Sequence, residues 1–290
     1  MLNFIISSES TCDLTADQIT ANNFSVIPMN FLVGEKEYSS TDGLSTNEIC
    51  KRMREGQSVK TFQVTVEQAT DYLSELLKQG KDIVHLSFSS AMSGTCDNFR
   101  RAAQALNAAE KSANKIYIVD TLCQSFGVAF LMYWAKEQAE KNGWDARQTV
   151  DFIESKKLTV SHTFVVDDLK FLARGGRLNA PMAFIGNIIQ LKPVLHLNSN
   201  GQIVQRVKVI GRKKSITTVI EEFKKHYNGD CKQVFISESA CRQEAESVAA
   251  RLKEINPEIE IIINQLGPVI TSHAGPGVIA VYFTVNDRME

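Results

Sequence analysis

The sequence predicts an α/β fold in two parts, and three observations carry the prediction. Short apolar runs alternate with helical segments through roughly the first 160 residues. Helix start and stop signals stand between those runs, and after Thr163 the pattern changes to a hairpin followed by mixed elements.

In chain order, "FIISS" (Phe4 to Ser8), "IVHLSF" (Ile83 to Phe88) and "KIYIVD" (Lys115 to Asp120) read as buried strands of a parallel sheet. Ser45 with Glu48 and Thr65 with Gln68 form capping boxes, Asp145 with Gln148 is a variant of the same device, and Gly56, Gly80 and Gly143 stand just past helix ends. Further on, "TFVVDD" is strand-like, and "VLHLNSNGQIVQRVKVI" alternates on both sides of Asn200-Gly201, a strong hairpin signal. "KKSITTVIEEFKKHY" then has helical spacing, "QVFISES" is a strand, "QEAESVAARLKEI" a helix and "EIIIN" a strand. No internal repeat is visible. The expected division is a parallel α/β/α domain over residues 1–160 and a mixed-sheet α+β domain over residues 161–290.

Hydrophobic residues at 43% and charged residues at 22% describe an ordinary globular chain and exclude a disordered one. A net charge of -1 gives no global attraction to nucleic acid or anionic lipid. Locally, Leu169 to Ile220 contains no Asp or Glu but holds Lys170, Arg174, Arg177, Lys192, Arg206, Lys208, Arg212, Lys213 and Lys214. Such a run is either a solvated face or a docking surface for an acidic partner or a phosphate. The six cysteines show no C-x-x-C spacing and no close Cys/His set, so reduced thiols are expected, with no metal and no cofactor. Without a leader-like N-terminus or an apolar stretch of about 18 residues, the expected location is the cytoplasm.

One stretch concentrates chemistry. "SFSSAMSGTCDNFRRAAQAL", Ser87 to Leu106, places hydroxyls and Gly94 where a strand gives way to a helix, the position at which parallel sheets collect anionic ligands. Three uses compete: a phosphate cradle, a serine nucleophile at Ser93 with His273 as base, and a site for another small anion. A fourth reading makes Ser93 or Thr95 a simple helix cap. Neither G-x-x-x-x-G-K-[ST] nor G-x-G-x-x-G occurs at this junction, and Ala91 rather than Gly precedes Ser93 by two residues, which disfavours nucleotide and hydrolase readings. Cys96 falls in the first helical turn, where the dipole would make it reactive unless it is a small core residue. His273 sits in a Gly/Pro-rich turn, "SHAGPG", as a ligand contact or as a backbone partner.

"SSESTCDL", "KTFQV", "SSAMSGT", "LKFLARGGRL", "KPVLHLNSNG" and "TSHAGPG" follow one another in this order. Together they resemble the DegV family of bacterial fatty-acid-binding proteins over essentially the whole chain. The resemblance implies two α/β domains with one long-chain fatty acid, such as palmitate, buried between them. It implies that Thr61, Ser93 and His273 hold the carboxylate, that Phe62 and Gly94 line the pocket, and that Arg174 and Arg177 serve partner docking or phosphoryl transfer. It also implies a carrier role without catalysis of its own: an ATP-dependent fatty acid kinase subunit would phosphorylate the bound carboxylate for phospholipid synthesis. Transient membrane contact fits the same picture; nucleic acid does not. Glu9 stands where the family commonly has Asp, Phe62 where a small serine is common, and Cys96 where an aromatic is frequent. The physics agrees, because a fatty acid needs a few converging donors for its head and an apolar tunnel for its tail. Each buried methylene contributes about 0.8 kcal/mol, so a chain of about sixteen carbons dominates affinity.

Overall fold

The computed structural model describes residues 2–41, 43–109, 114–178 and 191–288. Four strands, β1 (Phe4–Glu9), β2 (Ser25–Ile27), β6 (Asp82–Ser87) and β7 (Ile116–Asp120), form an all-parallel sheet in the order β2-β1-β6-β7. Six more, β8 (Val160–Val165), β9 (Val194–Leu197), β10 (Ile203–Val207), β11 (Gln233–Glu238), β12 (Glu260–Gln265) and β13 (Ile279–Thr284), form a mixed sheet in the order β10-β9-β8-β13-β11-β12. The hairpin at Asn200-Gly201 joins β9 to β10 antiparallel, and Gly201 takes the left-handed backbone that a tight turn requires (φ 73°).

A third sheet was not evident from the sequence. β3 (Asn30–Val33), β4 (Lys36–Ser39) and β5 (Val59–Thr61) pair antiparallel in the order β4-β3-β5. Each has only three or four residues, and "KEYS" carries no apolar alternation, so the period-2 signal is too short to read.

The helices are α1 (Ala16–Asn22), α2 (Thr46–Arg54), α3 (Val66–Leu77), α4 (Thr95–Ala108), α5 (Phe126–Asn142), α6 (Ala146–Lys156), α7 (Leu169–Arg174), α8 (Arg212–His226), α9 (Arg242–Ile255) and α10 (Pro268–Ala274). Thr65 with Gln68 and Asp145 with Gln148 close both halves of their capping boxes. At α2 only Ser45 accepts from Glu48 N, because the Glu48 carboxylate is engaged by Arg52 one turn on.

Alternation along the strands builds the layers. In β1, Ile5 faces α3 and α4 with Leu73 and Phe99, while Phe4 and Ile6 face α5. In β11, Val234 and Ile236 face α8 and α9 with Phe223 and Leu252, while Phe235 turns back to α5. Helix α5 therefore packs on both larger sheets, which explains why it is apolar nearly all round. Phe126 and Phe130 stand 5.2 and 5.5 Å from the Phe235 ring. Strands of the parallel sheet end at Asp120 and those of the mixed sheet begin at Val160, yet one hydrophobic cluster runs through both.

A buried carboxylate also joins the two sheets. Asp13 accepts from Ser125 Oγ at 2.5 Å and from the Gly267 N–H, which opens α10, at 2.9 Å. Burial pushes its carboxyl up to about 7, against the lowering effect of those two donors.

Gly127 on α5 gives a direct test of this packing. A Cβ there would stand 1.9 Å from His162 Nε2, and that ring is pinned by Gln124 N and Val160 O. Gly127→Ala is expected to lower stability by about 1–3 kcal/mol in denaturant unfolding, and an unchanged midpoint would contradict the packing described.

Candidate functional site

Between segments from the two halves of the chain lies a cavity of about 760 Å³, within the range of small-molecule sites. The first half of the chain contributes the strip from Gly56 to Gln63 and the Phe88–Thr95 loop; the second contributes α7, Arg177 and α10. Local bonds bring the strip and the loop together. Val64 N donates to Thr95 Oγ1 at 3.3 Å, and Asn98 donates to Val64 O at 2.8 Å, so the residues after Thr61 are tied to the start of α4.

Glu9 fixes where that loop begins. Fully buried, it accepts from Ser87 Oγ on Oε1 at 2.5 Å and from Phe88 N on Oε2 at 3.1 Å, while His85 Nε2 stands 3.3 Å from Oε1. Paired in this way, a buried carboxylate costs far less than an isolated one.

Thr61, Ser93 and His273 all line the cavity. Thr61 Oγ1 and His273 Nε2 share a hydrogen bond of 2.8 Å across 212 residues of sequence. Ser93 turns its hydroxyl to Thr95 instead, donating to Oγ1 at 3.1 Å and accepting from Thr95 N at 3.3 Å. The N-cap of α4 is Gly94, so Thr95 is the first helical residue rather than the cap. No Ser93–His273 hydrogen bond forms among the described residues; the Ser93 hydroxyl and the His273 ring have other partners.

His273 closes α10 rather than standing in a turn; the turn begins at Gly275, whose missing Cβ admits the Phe171 ring. Burial, aided by the Arg177 charge, pushes the His273 imidazole down to about 4. It is therefore a neutral ring with one donor and one acceptor nitrogen. Nδ1, close against Gly175, has no hydrogen-bond partner among the described residues.

Arg177, expected to serve partner docking or phosphoryl transfer, lies in the cavity wall. Its Nε donates to Met92 O at 3.2 Å and its Nη1 to Gly175 O, which fixes the guanidinium and leaves further N–H groups without a partner among the described residues. Burial lowers its pKa without discharging it. Arg174 is exposed, lines the same cavity and makes no ion pair among the described residues. Lys60, which sequence reasoning passed over although it opens "KTFQV", is a third cation on the lining. No Asp or Glu lines the cavity among the described residues, so its field favours an anion.

One other expectation needs correcting. Gly94 does not line the cavity; it backs onto the Gln63 amide, which a Cβ would meet at 2.6 Å. Phe62 does line it, with 42% of the residue exposed at the rim. The Cys96 thiol is buried and pushed up to about 12 by desolvation, so it is a core residue and not a reactive one.

Acidic residues from outside the basic stretch partly neutralise it. Lys170 pairs with Asp168, Lys192 with Asp167, Arg206 with Glu222 and Arg212 with Glu244. Residues 179–190 of that stretch lie outside the described residues. Among the described residues no group of side chains could hold a metal ion, and no helix is long and apolar enough to cross a membrane.

Comparison with known proteins follows the same lines. A family model described as "Uncharacterised protein, DegV family" matches residues 3–286. A DegV domain-containing protein of Clostridium perfringens is 32% identical over 286 residues, which is 98% of each chain. The fold matches a DegV family protein from Thermus thermophilus, whose structure is described as showing fatty acid binding. That match has a TM-score of 0.87 and 26% identity over 98% of this chain and 100% of that one. It also matches a DegV lipid-binding protein from Thermotoga maritima, with a TM-score of 0.82 and 25% identity over 99% and 100% of the two chains. The chain belongs to the DegV family.

The His273 ring supplies a pH test. Its lowered pKa means that the neutral ring's contribution to stability is present in full above about pH 6.5 and is lost as pH falls through about 4. His273→Asn is expected to flatten the decline of unfolding free energy over that window relative to the parent protein. Parallel declines would show that the ring is not held neutral.

Proposed function

We propose that the cavity binds one long-chain fatty acid, with its carboxylate at Thr61, Ser93 and His273 and its tail along the apolar walls. The observation that carries this reading is the lining itself: three cations and no acid among the described residues, with the Thr61 and Ser93 hydroxyls on the wall beside a neutral imidazole. A carboxylate so placed has charge-assisted donors without a fixed counter-carboxylate to expel. Fatty acid binding by the Thermus thermophilus relative supports the same ligand class.

We extend the proposal to the role of a carrier that is not itself an enzyme. An ATP-dependent kinase partner would reach the head at the rim and form an acyl phosphate. Arg177 would hold the head from the wall, while exposed Arg174 would face the partner. The division into residues 1–160 and 161–290 gives each half one side of the cleft.

Organic extracts of the purified protein are expected to contain a long-chain fatty acid by mass spectrometry. No acid in the extract, and none taken up when supplied, would end the proposal. Thr61→Val and Ser93→Ala should each weaken binding about 10- to 100-fold, the value of one hydrogen bond to a charged group. Arg174→Ala should weaken binding less than Thr61→Val does and reduce acyl phosphate output from the acid-loaded protein when a cognate kinase is present; unchanged output would remove Arg174 from the rim contact.

A further inference from the structure

Among the described residues, the methionines of the cavity lining all come from one half of the chain. Residues from the second half present branched or aromatic side chains: Phe171, Ile203, Val269 and Ile270. The opposite wall carries Met29, Met53 and Met92, each less than a tenth exposed, beside Val59, Phe62 and Phe88. Three of the four methionines among the described residues are therefore on this one wall, Met132 being the fourth.

They reach the wall independently. Met29 precedes β3, Met53 ends the buried face of α2, and Met92 sits in the loop before α4. Each belongs to a different hydrophobic cluster, so the cavity is where three clusters meet and a methionine marks each edge. An unbranched thioether has three rotatable side-chain bonds and fills irregular gaps, whereas branched and aromatic side chains hold one shape. Their backbones are anchored: Met29 N bonds Ser10 and Ser40 hydroxyls, and Met92 O accepts from Arg177. Only the side chains are free to re-pack.

On the reading that the ligand is a fatty acid, we infer that this methionine wall makes the cavity tolerant of chain shape, accepting straight saturated and cis-unsaturated chains with similar affinity. A cis double bond puts a fixed bend in the chain. Against two stiff walls the bend would be rejected sterically; against one deformable wall it displaces thioethers between rotamers of similar energy.

Dissociation constants for hexadecanoic acid and cis-9-octadecenoic acid, measured on the delipidated full chain by displacement of a fluorescent fatty acid, test this directly. The two values are expected to agree within about fivefold. Replacing all three methionines by leucine, which conserves volume but stiffens the wall, should widen the ratio to about thirtyfold or more. If that triple variant fails to fold, the single Met29→Leu, Met53→Leu and Met92→Leu variants should each widen it in part. Biosynthetic replacement of methionine by norleucine, unbranched but without sulfur, should leave the ratio unchanged. A parent protein that discriminates more than about thirtyfold, or leucine variants with the parent ratio, would overturn the inference. Binding of neither acid would instead defeat the fatty acid reading itself.

Discussion

Everything in this molecule depends on the first turns of one helix, Phe126 to Ala135, being buried almost completely. Helix α5 is packed by the parallel sheet on one face and by the mixed sheet on the other, with Phe126 and Phe130 against Phe235. Because both sheets share this layer, their relative placement is set by close packing rather than by a linker. Only then can Asp13, at the end of the first strand, receive the N–H of Gly267 and fix where α10 starts. His273 comes at the other end of that helix, so the head of the cavity is positioned by a chain of contacts that begins at α5.

The Thr61–His273 bond shows how the site remains stable without a ligand. A buried hydroxyl and a neutral imidazole satisfy each other at 2.8 Å, which avoids the cost of two unpaired polar groups. On the proposed reading, a carboxylate would exchange for that bond and gain from the fixed Arg177 charge, so the net gain would be smaller than the sum of the contacts it makes.

Much of this was legible in the sequence, because the signals were local. The three apolar runs became β1, β6 and β7, the Asn200-Gly201 hairpin formed, and two of three capping boxes closed completely. Long-range chemistry was less legible. Arg177 looked like a surface cation because nothing nearby in sequence shows that Met92 O and Gly175 O will hold it inward. The acid-free stretch looked like a bare basic face because its partners, Glu222 and Glu244 among them, lie outside it. Likewise the glycines of "SHAGPG" suggested a turn at His273, whereas the helix runs to Ala274 and only then breaks. The repeated methionines carried no pattern at all until the fold brought them to one wall.

A helix shared by two sheets also has a consequence for synthesis on the ribosome. Phe126 leaves the ribosome about 110 residues before Phe235, the ring that covers it. At ordinary elongation rates that interval is about 5–20 s. For that time one face of α5 is an uncovered apolar surface on a nascent chain, a period in which the protein depends on dilution or chaperones to avoid aggregation.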